Sequence, residues 1–208
     1  MTKTIIDISR PLKNAMPLYP NNPPYEIKVI RKYEKLNSEG REGSQLSIVT
    51  SGSHNGTHID GGVHCGLPNG VEKWPLDCFY GQCRVIALEE IIEITNKHLE
   101  KHSLQRGERI LLKTDNSTYA EFRNEFTHIG INAAKYIAEK ELKLIGVDGF
   151  AIQKRGSPTQ DVHRTLLSKM PIIEGLCLKH VEPGSYTLCA FPLAMTGDGA
   201  LTRAVLIK

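Results

Sequence analysis

Between His54 and His64 the chain reads His-Asn-Gly-Thr-His-Ile-Asp-Gly-Gly-Val-His, and this stretch restricts the possible folds most strongly. Three imidazoles and a carboxylate crowd one short segment, with Gly56, Gly61 and Gly62 among them. Polar groups buried together need partners, since each one left unpaired costs roughly 1–3 kcal/mol. A metal ion would satisfy all of them at once. On a helix His54 and His58 would share a face, but Asp60 and His64 would point elsewhere. On a strand the even-numbered positions all face one side, and a rise of ~3.3 Å per residue leaves His58 and Asp60 ~7 Å apart, within chelating reach. His54 and His64 would lie too far out on a flat strand. The glycines permit the bends that curl a chain around an ion. The segment is therefore expected to be a strand end that breaks into a glycine-jointed loop. Two histidines and one aspartate leave coordination positions for water, as catalytic sites do. Zinc (Zn2+) and manganese (Mn2+) both suit this N/N/O set, and the donor types alone do not choose between them.

The pattern His54-x-Gly56-Thr57-His58-x-Asp60-x-x-x-His64 resembles the signature of the cyclase-like metal-dependent amidohydrolases, which include bacterial-type kynurenine formamidases and isatin hydrolases. The resemblance extends along nearly the whole chain. Asp7-Ile8-Ser9 and Met16-Pro17-Leu18-Tyr19-Pro20 are similar to the family's opening strand and substrate loop. Asp161-Val162-His163 with Ile172-Ile173-Glu174-Gly175 is similar to its distal metal-binding segment. The resemblance implies that His54, His58 and Asp60 are ligands, that His163 and Glu174 hold a second ion with Asp60 shared, and that His64 is the acid/base. One or two ions per chain are implied. Tyr19 is placed against the substrate, and a homodimer or higher homo-oligomer is implied. So is a swivelling β/β/α architecture.

Three positions depart from the family pattern: Gly62 stands where proline is usual, Cys65 where an aromatic is common, and Tyr19 where formamidases carry tryptophan. The metal chemistry carries over, and the substrate does not carry over with it. The expected reaction is hydrolysis of an amide or cyclic amide. A coordinated water approaches ionisation at neutral pH, hydroxide attacks the carbonyl, and His64 passes the proton to the leaving amine. Two alternatives stand beside it: a cyclase-family enzyme acting on a lactone or other non-aromatic substrate, and a non-catalytic metal-binding protein.

Composition enters mainly by exclusion. With 26 Lys and Arg against 23 Asp and Glu, mixed along the chain, no basic patch points to nucleic acid. No apolar run reaches the ~18 residues of a membrane span, and the first residues lack a signal peptide's apolar region, so cytoplasmic residence is expected. Cys65, Cys78, Cys83, Cys177 and Cys189 show no paired spacing of a zinc ribbon or a disulfide framework. The chain, 1–208, is expected to be one strand-rich α/β domain. Strands are expected at 4–8, 26–31, 45–50, 84–87, 109–113, 144–147, 171–174, 185–191 and 203–207. Helices are expected at 88–102, on the stripe Ile91, Ile92, Thr95 and Leu99, at 132–141 with Asn132 as cap, and at 161–169. His98 and His102 lie four apart on the first helix among Lys97, Glu100 and Lys101, and are expected on a solvated face. Trp74 is expected to pack. Gln153 is a candidate donor to a substrate carbonyl, and the resemblance places Asp148 where the family carries a strand-end aspartate near the site.

Overall fold

The run Ile110-Leu111-Leu112 leaves no polar position, which suits a strand covered on both faces. It lies at the middle of the protein. The computed structural model of the chain describes residues 4–208. Its strands, in chain order, are β1 (Ile5–Asp7), β2 (Glu26–Arg31), β3 (Leu46–Thr50), β4 (His58–Asp60), β5 (Tyr80–Ala87), β6 (Glu93–Ile94) and β7 (Arg109–Lys113). They continue with β8 (His128–Ile129), β9 (Leu144–Val147), β10 (Ile172–Glu174), β11 (Gly184–Cys189), β12 (Gly199–Leu201) and β13 (Val205–Ile207). The helices are α1 (Asn96–Glu100), α2 (Ile131–Glu139) and α3 (Asp161–Leu167).

Nine strands form one mixed sheet in the order β1-β13-β11-β5-β7-β9-β10-β4-β12. The central four, β5, β7, β9 and β10, run parallel, and antiparallel strands extend the sheet on both sides. Alternation along each strand sorts the side chains into two cores. Ile110, Leu112, Ile145 and Ile172 face the helices, where they meet Ala133, Ile137, Leu166 and Met170. Leu111, Leu144 and Ile173 face the other way and share a core with Leu188, Leu206, Ile59 and Ala200 from the outer strands. The sheet is thus curled, and its outer strands cover part of its own face. This is the strand-rich α/β architecture that the sequence predicts.

Two helical expectations are corrected. The stretch 88–102 is not one helix: residues 93–94 pair as β6 with β8, and only 96–100 are helical. Glu90 takes a positive φ of 60°, which interrupts any helix, and the β-branched Ile91, Ile92, Ile94 and Thr95 favour extended backbone. His98 is not simply solvated, because its Nδ1 accepts the Thr95 backbone N–H at 3.1 Å at the start of α1. Asn132 does not cap α2, since the Gly130 carbonyl already accepts from Ala134 and the helix begins at Ile131. The β2–β3 hairpin stands apart from the main sheet with most of both strands exposed.

Candidate metal centre

β4 lies between β10 and β12, with His58 opposite both Glu174 and Leu201, and Asp60 opposite Gly199. Residues directly opposite in an antiparallel pair point to the same face. Ile59, Ile173 and Ala200 therefore enter the second core together. His58, Asp60 and Glu174 point instead to the helical side, toward α3. That helix buries Val162, Leu166 and Leu167 in the first core and directs His163, only 4% exposed, onto the same carboxylates. His54 reaches them from the turn before β4, where Gly56 adopts a φ of +61°. A side chain at Gly56 would also strike Leu12, with a Cβ 2.9 Å from Cδ2. Alternation thus accounts for 58 and 60, and a glycine turn for 54, as the segment predicts.

The two carboxylates are shared between two groups of imidazoles. Asp60 Oδ1 lies 3.1 Å from His54 Nδ1 and 3.4 Å from His58 Nε2, while Asp60 Oδ2 lies 3.9 Å from His163 Nε2. Glu174 divides likewise, with Oε2 3.5 Å from His58 Nε2 and Oε1 3.3 Å from His163 Nε2. Glu174 Oε1 also accepts the Ile152 backbone N–H at 2.7 Å, which fixes its rotation. Three sets of possible ligand atoms result among the described residues: the buried sets His54–His58–Asp60 and Asp60–His163–Glu174, with Asp60 common to both, and His54–His64–Asp198, in which His64 and Asp198 are exposed.

Protein hydrogen bonds alone leave this cluster unsatisfied. Among the described residues, His58 Nε2, Asp60 Oδ2 and His163 Nδ1 are buried without a hydrogen-bond partner. His58 Nε2 and Asp60 Oδ2 belong to the cluster of imidazoles and carboxylates, where a bound cation would satisfy them. The titration behaviour agrees. Burial alone would depress the His58 pKa, but Asp60 and Glu174 override it and push it up to about 10. Burial would raise Asp60, and His54 and His58 hold it well below the usual carboxylate range. Burial and the Asp60 charge both oppose ionisation of Glu174, yet its interactions with His163 and His58 keep its pKa low. Two buried anions draw positive charge toward themselves, and the N/O donor set fits a divalent cation.

His64 sits on a short 3-10 turn, Gly62–Cys65, that contacts α3. Its ring centroid is 4.1 Å from that of His54 and 5.2 Å from that of His163. It opens onto a cavity of about 250 Å³ whose floor includes His54, His163 and Glu174. Tyr19, Phe150 and Lys154 stand on the walls. The Tyr19 ring meets Phe122 edge-on at 5.2 Å, and Arg10 stacks 4.3 Å over Phe150.

Several residues differ from their expected places. Gln153 lines the cavity, but its Nε2 donates to the Thr159 carbonyl and its Oε1 accepts from Val162 N, so it braces the start of α3. Asp148 lies outside the cavity and is fully buried, receiving Thr114 and Ser117. Cys65 points into the helical core, so its departure from the family pattern does not alter the cavity wall. Trp74 packs against both cores as expected, and it also donates Nε1 to the Asp60 carbonyl at 3.0 Å. Asp198 was not foreseen. Its Oδ2 lies 3.1 Å from His54 Nε2, 144 positions along the chain, and no local motif marks it.

The Cyclase family model matches residues 6–154. The chain belongs to the Cyclase family. Among similar family proteins, the kynurenine formamidase of Bacillus anthracis is 34% identical over 211 aligned positions, covering 99% of this chain and 98% of that protein. A structure described as a potential metal-dependent hydrolase with cyclase activity is 31% identical, with a TM-score of 0.86 over 99% of this chain and 98% of that one. The predicted metal-dependent hydrolase from Bacillus stearothermophilus is 30% identical, with a TM-score of 0.85 over 100% of this chain and 99% of that one. An isatin hydrolase from Labrenzia aggregata, 17% identical, shares the fold with a TM-score of 0.80 over 99% of this chain and 93% of its own.

Proposed function

We propose that this chain is a metal-dependent hydrolase of an amide or cyclic amide, with the formamidase reaction of its relatives as the nearest model. One observation carries the reading. Asp60 and Glu174, both buried, each offer one oxygen to the His58 side and one to His163. In this reading His54, His58 and Asp60 hold one ion, and His163 and Glu174 hold a second with Asp60 shared. Zinc is the first choice and manganese the second. A divalent cation bound there would supply Lewis-acid polarisation of a carbonyl and would lower the pKa of a water toward ~7.

The remaining work belongs to the chain. His64, at the cavity mouth beside His54 and His163, accepts the proton released by the attacking water and returns it to the departing nitrogen. The walls around His64 desolvate its ring and lower its pKa, which favours the neutral form needed for the first transfer. Tyr19 is the substrate-facing wall, its ring steadied by Phe122. The whole of 1–208 acts as one domain, because β1 and β13 complete the sheet that carries the site. Five free cysteines suit a reducing compartment, hence cytoplasmic residence. The β2–β3 arm exposes Ile27, Val29, Ile48 and Val49, each at least 43% accessible, and a lone two-stranded hairpin is marginal in water. A homodimer that covers this arm is part of the reading.

Elemental analysis should find a stoichiometric divalent metal, and the metal-loaded protein should hydrolyse a member of a panel of N-formylkynurenine, isatin and simple lactones. A metal-free active enzyme sinks the reading. Cleavage of lactones alone supports the second reading. Bound metal with no turnover on any substrate identifies a metal-binding protein. Light scattering tests the dimer, and a monomer in which the arm is exposed refutes it.

A further inference from the structure

The proposed ligand imidazoles differ in what holds the ring from behind. His58 has Nδ1 on the Gly56 carbonyl at 3.1 Å, a neutral acceptor. His163 Nδ1 has no partner among the described residues. His54 alone has a carboxylate behind it, with Nδ1 3.1 Å from Asp60 Oδ1 and Nε2 3.1 Å from Asp198 Oδ2. A neutral imidazole carries one proton, and the nitrogen that binds a cation must be the bare one. If Nδ1 faces the cation, the proton sits on Nε2 and needs an acceptor at the Asp198 position.

The surrounding backbone holds that acceptor in place. Gly61 N–H donates to the Asp198 carbonyl at 2.7 Å, and Val71 N–H to the Gly197 carbonyl at 2.9 Å. Gly199 pairs with Asp60 in the β4–β12 register. Its backbone lies so close to the His54 ring that a Cβ would come within 2.9 Å of Cε1. Ser53 Oγ donates to the same Asp198 oxygen at 3.2 Å, from the residue next to His54. The turn that carries His54 and the loop that carries Asp198 are therefore locked together across the sheet edge.

We propose that Asp198 is a positioning residue: it accepts the His54 Nε2 proton, selects the tautomer with a bare Nδ1, and pre-orients that nitrogen for the cation shared with Asp60. This rests on the ligand role given to His54 above. Carboxylate partners of ligating histidines usually contribute about 10–100-fold in metal affinity. Asp198 has a half-exposed side chain, 52% accessible, so its removal should cost the metal-free fold little.

The test uses the full chain stripped of metal and titrated with Zn2+ against a fluorescent chelator. Asp198→Ala should weaken zinc binding about 10–100-fold, with Asp198→Asn between it and wild type, while the melting temperatures of the metal-free proteins stay together. Long-range 1H–15N spectra of the histidine rings should show His54 protonated at Nε2 in wild type and a mixed tautomer in Asp198→Ala. Should the alanine variant fail to fold, Asp198→Asn decides by the same two measurements. Equal zinc affinity in wild type and variant, or a His54 proton on Nδ1 in wild type, overturns the proposal and leaves the metal centre standing. Loss of a whole equivalent of zinc without weakening of the rest makes Asp198 a ligand, and also overturns it. A wild-type chain that takes up no zinc removes the metal reading itself, and this proposal with it.

Discussion

Gly175 follows Glu174 directly and ties the two halves of the centre together, so Gly175→Ala tests the geometry sharply. The residue has a φ of +70°, where an L side chain is strained by about 1–2 kcal/mol. A Cβ there would stand 2.1 Å from the Gly56 carbonyl oxygen and 2.9 Å from its carbon. The obstacle is backbone, so no rotamer relieves it, and the two segments must move apart by roughly 1 Å to reach van der Waals distance. Overpacking of that kind costs about 1–3 kcal/mol. Together the two effects come to about 2–5 kcal/mol, which at ~2–4 °C per kcal/mol for a chain of this size lowers Tm by about 4–20 °C. Gly107→Ala is the control, since Gly107 has a φ of +74° with nothing within 4 Å of its Cβ position. It should carry only the backbone strain of about 1–2 kcal/mol. Thermal or urea unfolding of the metal-free proteins measures both. Zinc affinity should fall in Gly175→Ala and not in Gly107→Ala, because the Gly56 carbonyl that must move is the one that orients His58 Nδ1. If the two variants unfold within 1 kcal/mol of each other, the close approach of 56 and 175 is wrong.

Further outcomes follow from the same geometry. His64→Ala should keep its metal and lose about 100–10,000-fold in kcat, and near-normal turnover would remove the acid/base role. Chelation should destabilise the protein by about 4 kcal/mol relative to metal present at a thousand times its Kd, and a Tm indifferent to chelator and zinc would contradict a folded-state site. Zinc affinity should rise with pH, because imidazoles held by buried carboxylates, His58 at about 10 among them, must give up protons to bind; calorimetry in buffers of different ionisation enthalpy counts those protons, and release of none refutes it. Burial pushes Asp148 from its usual 3.8 up to about 6, against hydrogen bonds from Ser117 and Thr114. A raised folded-state pKa gives a stabilising contribution that is complete below about pH 4 and lost as pH rises through 6, about 3 kcal/mol in all. Asp148→Asn should remove that slope from the pH dependence of unfolding, and an unchanged slope would assign it elsewhere.

The cluster at 54–64 was legible because its members are neighbours in the chain. Alternation places 58 and 60 on one face whatever lies beyond, and glycine at 56 permits the turn that returns His54. The apolar strands β7 and β9 were legible for a similar local reason, since runs without polar positions require cover on both faces. The stretch 88–102 misled because Ile91, Ile92, Thr95 and Leu99 satisfy a helical stripe, while pairing of β6 with β8 and the left-handed Glu90 decide otherwise. Gln153 looked free for substrate because its two partners at 159 and 162 belong to a turn whose shape no local pattern specifies. His163 and Glu174 were reached through family resemblance, and their own surroundings in the sequence say little more than helix and strand.

The sequence by itself therefore determined the chemistry: a nitrogen- and oxygen-rich segment, jointed by glycine, whose polar groups ask for a cation. Tertiary structure alone decided which other groups serve it. The register of β4 against β10 brings Glu174 opposite His58, that against β12 carries Asp198 to the back of His54, and α3 delivers His163 from above. Side-chain periodicity is a local property of backbone geometry, whereas these meetings depend on hydrogen-bond register between strands more than a hundred residues apart.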